Sequence, residues 1–248
     1  MTSHSDFSRR ALLATGAAGA AGAFAAALSP RSAAAQAAGS KLRIGTIGSG
    51  HIGGTFGALW IKAGHEVMFS SRHPEELKDM VQKLGPLAKA GTVPDAIAFA
   101  QVVFIAVPYG AIPQIGEQYG STFNHKILMD ACNAVPARDG SVADEVEKNG
   151  IGVTTQKYFP SARVVRAFNT LGYMIFEKEA HRAPPLLAIP IAGDDPEAVR
   201  VAEGLVREAG FDPVLVGKLA DARRFQRGQP GYGQNVTAPE LKKTLGLP

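Results

Sequence analysis

The sequence predicts an α/β fold: a doubly wound, mostly parallel sheet in a single domain with a short C-terminal extension. Three observations carry this. Apolar strand-like runs alternate with helical patterns along most of the chain. One run, Val102-Val-Phe-Ile-Ala-Val107, is apolar throughout, as a strand buried on both faces requires. The first strand ends in a glycine-rich turn, Gly48-Ser-Gly-His-Ile-Gly53, that opens a helix.

The elements follow in order. A strand from Leu42 runs into the glycine turn, and an apolar helix continues to Ala63. Gly64 breaks that helix, and a second strand ends at Ser70-Ser71-Arg72. Pro74 to Leu84 reads as a helix, with Pro in its first turn and Gly85 as its stop. Gly91-Thr-Val-Pro leads into a short helix, Asp95 to Ala100. The strand Val102–Val107 is followed by a short helix, Ile112 to Tyr119, and by a strand, Lys126 to Ala131. Val142 to Lys148 and Thr154 to Phe159 read as helices, and Arg163 to Phe168 as a strand. A strand follows at Leu187–Ala192, and Asp195 caps a helix from Pro196 to Ala209, closed by Gly210. Val214-Leu-Val216 is the last strand.

In such a sheet, ligands bind at the carboxyl ends of the strands. Gly48, Gly50 and Gly53 fit the G-x-G-x-x-G pattern of a dinucleotide site in the strand–turn–helix context it requires, which makes this a Rossmann-like domain. Gly48 serves the tight turn, Gly50 lets a pyrophosphate approach the backbone, and Gly53 lets the helix pack closely. The helix N-terminus offers free N–H groups and partial positive charge. The second strand selects the dinucleotide. No carboxylate stands at its end to hold a ribose 2′-hydroxyl. Ser70 and Ser71 offer hydroxyls instead, and Arg72 a guanidinium for a 2′-phosphate. NADP, taken as NADPH, is the expected cofactor.

Three further strand ends are expected to line the nicotinamide half: Val107-Pro108-Tyr109-Gly110, Asp130-Ala-Cys132-Asn133 and Phe168-Asn169-Thr170. Asn169 is expected to bond the carboxamide and Tyr109 to pack near the ribose or nicotinamide. The alternatives are a turn or cap role for Asn169 and an ordinary half-buried aromatic for Tyr109. Cys132 reads as a small buried hydrophobe. No residue stands out as a catalytic acid or base, and the histidines show no metal-ligand spacing.

The first residues tell of targeting. Arg9-Arg10-Ala-Leu-Leu13, an uncharged Ala/Gly stretch to Leu28 and A-x-A options at 33–37 have the order of a twin-arginine export signal. Residues 1–37 are assigned to this signal and 38–248 to the NADP-binding domain, with a periplasmic or secreted location expected. No stable membrane span is expected after cleavage. The chain carries a formal charge of +4, and loss of the signal leaves about +2, so the basic balance is partly a targeting effect. No basic run with interleaved aromatics suggests nucleic acid. The single cysteine cannot form an intrachain disulfide. The segment Arg224 to Leu247 is too short for a dimerisation domain and is expected to form a lid or a subunit contact, the latter giving a homodimer.

Over residues 41–235 the chain resembles the NADP oxidoreductases dependent on coenzyme F420. The motifs appear in order: the glycine turn, Ser70-Ser-Arg72, Ala106-Val-Pro108, Arg166-Ala-Phe-Asn-Thr170, Ala192-Gly-Asp-Asp-Pro196 and Gly217-Lys-Leu-Ala-Asp-Ala-Arg223. The NADPH modules of STEAP-type metalloreductases share much of the pattern, and pyrroline-5-carboxylate reductase is similar over the cofactor half. The resemblance implies NADP at Gly48, Ser49, Gly50, His51, Ile52, Ser71 and Arg72. It further implies a redox partner ring on the nicotinamide near Pro108 and Asn169. The expected activity is hydride transfer between NADPH and a flavin- or deazaflavin-like or other small acceptor. The alternatives are a non-catalytic NADP-binding module serving a redox protein, and a carbonyl or imine reductase.

Overall fold

The computed structural model describes residues 41–248; the twin-arginine segment lies outside them. Eight strands form one sheet: β1 (Arg43–Ile47), β2 (Glu66–Ser70), β3 (Ala88–Gly91), β4 (Val102–Ile105), β5 (Ile127–Asp130), β6 (Arg163–Arg166), β7 (Ala188–Gly193) and β8 (Asp212–Gly217). Their order is β3-β2-β1-β4-β5-β6-β7-β8, so β1 and β4 stand side by side where the chain reverses its direction of winding. The first six strands are parallel, β7 runs antiparallel to β6, and β8 is parallel to β7.

Ten α-helices accompany these strands: α1 (His51–Lys62), α2 (Lys78–Leu84), α3 (Val93–Phe99), α4 (Ile112–Tyr119), α5 (Pro136–Asp139), α6 (Ser141–Asn149), α7 (Ile151–Tyr158), α8 (Tyr173–Glu179), α9 (Pro196–Glu208) and α10 (Ala238–Leu245). Side chains alternate along each strand, so a buried strand must feed two cores. In β4, Val102 and Phe104 join one core with residues of α1, α8 and α9. Val103 and Ile105 join the other, with residues of α3, α4, α6, α7 and α10. The first core centres on Phe56, whose ring packs against Trp60, Phe104, Phe168, Phe176 and Phe211.

Several elements differ from the sequence reading. The short edge strand β3 was not foreseen, because Ala88-Lys-Ala-Gly91 lacks β-branched or aromatic residues; it pairs through its backbone with β2. The helix expected from Pro74 starts as a 3-10 turn over Pro74–Leu77 before α2. Helix α7 begins at Ile151 rather than Thr154, directly after Gly150 at φ 86°. Helices α5, α8 and α10 were not expected. The C-terminal segment, read as a lid or subunit contact, lays α10 on the sheet beside β7 and β8, with Leu241 and Leu245 buried. A reciprocal capping box of Thr237 and Glu240 starts that helix. Among the described residues no helix is long and apolar enough to cross a membrane.

Candidate functional site

The carboxyl ends of β1, β2, β4 and β5 open onto two adjoining cavities. The first, of about 540 Å³, is lined by the glycine turn at Gly48–Gly50, by Ser70, Ser71 and Arg72, and by α4 through Gln114 and Gln118. The second, of about 280 Å³, is lined by His51, Ile52, Ala131, Cys132, Asn133 and Arg138. Val107 and Pro108, at the end of β4, belong to both.

The turn is built around its glycines. Gly48 has φ 94°, and a Cβ there would also meet the Ala106 carbonyl oxygen at 2.5 Å. A Cβ on Gly53 would collide with the Gly48 carbonyl, so the helix closes directly onto the turn. At Gly50 nothing lies within 4 Å of the Cβ position; the space above it is open. No side chain caps α1, and its first turn holds no acidic residue, so its N-terminal positive potential faces that space uncompensated.

The side chains around the turn divide the work. Ser49 Oγ donates to the Ser70 carbonyl at 2.9 Å, tying the turn to the end of β2. Ser71 Oγ accepts from the His73 N–H, leaving its own proton for a ligand. Ser70 Oγ is buried, at 2% residue exposure, and has no hydrogen-bond partner. Arg72 is exposed and makes no side-chain hydrogen bond or ion pair among the described residues. An orphaned buried hydroxyl, an open glycine and an unengaged guanidinium fit the phosphates and ribose of NADP.

Beneath the second cavity lies a buried polar network that sequence reasoning missed. Asp130 and Arg166, paired in register on β5 and β6, form a fully buried ion pair at 2.7 Å. Asp130 Oδ1 accepts the Cys132 N–H at 2.8 Å, and Arg166 Nη2 donates to the Cys132 carbonyl at 2.8 Å. Both backbone groups of a cavity-lining residue are thus held by one pair. Thr155 donates to Asp130 Oδ2 at 2.7 Å, and Tyr109 Oη lies 2.9 Å from Thr155 Oγ1. The signal available in the sequence was a charged residue at the end of each of two apolar strands.

This network corrects one expectation. Tyr109 does not reach the cofactor cleft; it is fully buried in the second core, its hydroxyl bonded to Thr155 and the Ile151 carbonyl. A Tyr hydroxyl finds a partner when buried, and here the partners lie inward. Burial, and then the Asp130 charge, push its phenol well above the usual tyrosine range. The same two causes raise the Cys132 thiol, which stays protonated at neutral pH.

Asn169, expected to bond the carboxamide, does not line the cavity; it is buried behind Asn133, because its side-chain amide finds its partner inward. Asn133 lines the cavity, and its Nδ2 donates to the Asn169 carbonyl at 2.6 Å. Asn169, buried, stands behind it; its Nδ2 donates to the Phe225 carbonyl at 3.0 Å, and its Oδ1 is unpartnered. Thr170 is also buried, its carbonyl accepting the Gly233 N–H from the C-terminal segment. Phe168, just before, adopts a left-handed backbone at φ 62°, which the surrounding aromatic core holds in place. His51 is exposed and stacks on Tyr173 at 4.0 Å between ring centroids. Gln114, Gln118 and Arg138 were not singled out from the sequence. The i, i+4 spacing of the two glutamines on a short helix was the signal for one cavity wall. Among the described residues no cluster of three His, Cys, Asp or Glu could hold a metal ion.

Comparison with known proteins agrees with this geometry. Residues 43–134 match the family described as NADP oxidoreductase, coenzyme F420-dependent. The metalloreductase STEAP3 of Rattus norvegicus is 25% identical over 194 residues, covering 74% of this chain and 36% of that protein. The protein YjhV of Escherichia coli is 48% identical over 61 residues, 25% of this chain and 44% of YjhV. The chain therefore spans less than half the length of these curated relatives. Among solved structures, a hypothetical protein of Sinorhizobium meliloti aligns with a TM-score of 0.64 at 27% identity, covering 80% of this chain and 95% of that one. An Arthrobacter sp. protein described as an F420-dependent NADP-reductase aligns at 0.63 and 25% identity, covering 73% and 87%. Over residues 43–134 the chain is thus similar to the coenzyme F420-dependent NADP oxidoreductases, and its fold is Rossmann-like.

Proposed function

We propose that this protein is an NADP(H)-dependent oxidoreductase that passes a hydride between NADPH and a small flavin-like or deazaflavin-like acceptor. One observation carries the reading: a cavity lined by the glycine turn, Ser70, Ser71 and Arg72 adjoins, at Val107 and Pro108, a second one of about 280 Å³. In this reading, Ser70, Ser71 and Arg72 hold the 2′-phosphate end, and the Gly48–Gly53 turn takes the pyrophosphate. Val107, Pro108 and Asn133 place the nicotinamide, with Asn169 bracing Asn133 from behind. Bound NADPH supplies the hydride from its nicotinamide C4.

The chain's own contribution is orientation and exclusion of water. The Asp130–Arg166 pair fixes the backbone of Cys132 and so the cavity floor. The second cavity offers no Lys–Tyr pair: Tyr109 faces the core. Its imidazole, His51, has a ring partner in Tyr173 and no hydrogen-bonded carboxylate among the described residues. Such a site suits an acceptor that takes its proton from water.

The twin-arginine pattern belongs to the proposal as well. That route carries folded proteins, so NADP(H) bound before export would travel inside the fold and be recycled in place.

Single-turnover oxidation of NADPH by the isolated chain, with flavins as acceptors, tests the reading. C4-deuterated NADPH is expected to give a primary isotope effect when chemistry limits the rate. Tyr109→Phe and His51→Asn are each expected to slow hydride transfer by less than about 10². A loss of 10³ or more in either, with cofactor still bound, would point to a carbonyl or imine reductase. NADPH binding without turnover on any flavin would point to a module that serves a redox protein.

A further inference from the structure

The second cavity carries a cation, Arg138, that the cofactor reading does not use. Arg138 stands on its rim, and its guanidinium is held in place. Nε donates to Asp139 Oδ1 at 2.9 Å, and Nη2 donates to Asp139 Oδ2 at 2.8 Å and to the Asn133 carbonyl at 2.7 Å. The Asp139 carboxylate is 1% exposed and is anchored in turn by the N–H groups of Gly110 at 3.0 Å and Val135 at 2.7 Å. The arm is therefore fixed from the loops that follow β4 and β5, the two strands that floor the cavity. Yet the Arg138 side chain remains 47% exposed, and Nη1 makes no hydrogen bond among the described residues. No other residue lining this cavity is acidic.

A guanidinium clamped on one side by a buried carboxylate, with a free edge at a cavity mouth, is preorganised for an oxyanion. In the cofactor reading the pyrophosphate lies over the open Gly50, which lines the first cavity, although the turn's next residues, His51 and Ile52, line the second beside Arg138. We propose that Arg138 recognises an oxyanion, phosphate or carboxylate, carried by the acceptor, so that this enzyme selects anionic acceptors over neutral ones with the same ring. This deepens the proposed function and rests on the second cavity taking the nicotinamide half.

FMN and riboflavin share one ring system and differ by a phosphate, which makes them the probes. Each is titrated by fluorescence anisotropy into protein saturated with NADP+, whose own affinity is measured first. FMN is expected to bind at least tenfold tighter than riboflavin, the scale of one charge-assisted hydrogen bond. Arg138→Gln should bring FMN to the riboflavin level and leave riboflavin and NADP+ affinities unchanged. Arg138→Lys should keep part of the preference, since it keeps the charge without the fork. The Asp139 bonds to Gly110 and Val135 do not involve the Arg138 side chain, and thermal unfolding checks that both variants fold. Equal affinities for the two flavins, binding of neither, or a preference that survives Arg138→Gln overturns the proposal. So does a tenfold loss of NADP+ affinity in Arg138→Gln, which would assign the guanidinium to the cofactor. Failure of the unsubstituted protein to bind NADP+ at all would instead defeat the cofactor reading itself.

Discussion

Gly50 and Arg72 show how single residues set the cofactor. Nothing occupies the space over Gly50, and its φ of −73° suits any residue. Gly50→Val therefore costs the fold little while filling the pyrophosphate's path. NADPH binding is expected to vanish in a calorimetric titration, with the melting temperature nearly unchanged; an unaltered titration would remove the turn from the site. Arg72 lies beside the orphaned Ser70 hydroxyl, where a 2′-phosphate gains a charge-assisted bond worth about 1.5–3 kcal/mol. NADPH is expected to bind at least tenfold tighter than NADH, and Arg72→Glu to reverse that order. Equal affinities in the unsubstituted protein would refute the assignment. These residues were legible because their chemistry is local: a turn closed by Gly48 and Gly53 with an open glycine between them, and a strand end that lacks a carboxylate. Tyr109 was not, because its neighbour Pro108 faces the cavity and one step of backbone decides which way the ring turns.

At the scale of elements, the loops after β4 and β5 are joined by Asp139. Burial favours its neutral form, but the Arg138 guanidinium and the N–H groups of Val135 and Gly110 outweigh that and hold the carboxyl below its ordinary range. A lowered folded-state value means stabilisation that is full above the unfolded value, near pH 4, and lost as pH falls through the folded one. Asp139→Asn is expected to lower stability by about 1–3 kcal/mol at neutral pH. The gap between the two proteins should narrow between pH 4 and pH 2 in urea unfolding; a constant gap would show that the charge plays no part. Sequence patterns located most helices, since their caps and stops are local: Asp195 accepts the Ala198 N–H, as its place before Pro196 suggests. The patterns passed over β3, α5, α8 and α10; β3 and α10 gain their structure from the sheet, and α8 from packing on α1.

For the whole molecule, the export reading rests on Arg9 and Arg10, outside the described residues. Replacing both with Lys is expected to retain the protein in the cytoplasm, measured by fractionation; normal periplasmic yield would refute the twin-arginine route.

The sequence by itself determined the fold class, the glycine turn, the expected NADP preference and the strand ends at which a ligand site must form. Each follows from short-range rules: hydrophobic periodicity, glycine at a positive φ, and the rule that such sheets bind ligands at their carboxyl edge. The tertiary structure alone decided the rest. It turned β7 antiparallel to β6 and paired Asp130 with Arg166 across adjacent strands. It drew Tyr109 into the core through Thr155, and clasped Arg138 on a carboxylate held by two loops. Those outcomes depend on partners up to 46 residues apart in the chain. Burial makes an unpaired polar group costly, so such groups settle wherever the fold supplies a partner, and no local pattern records where that is.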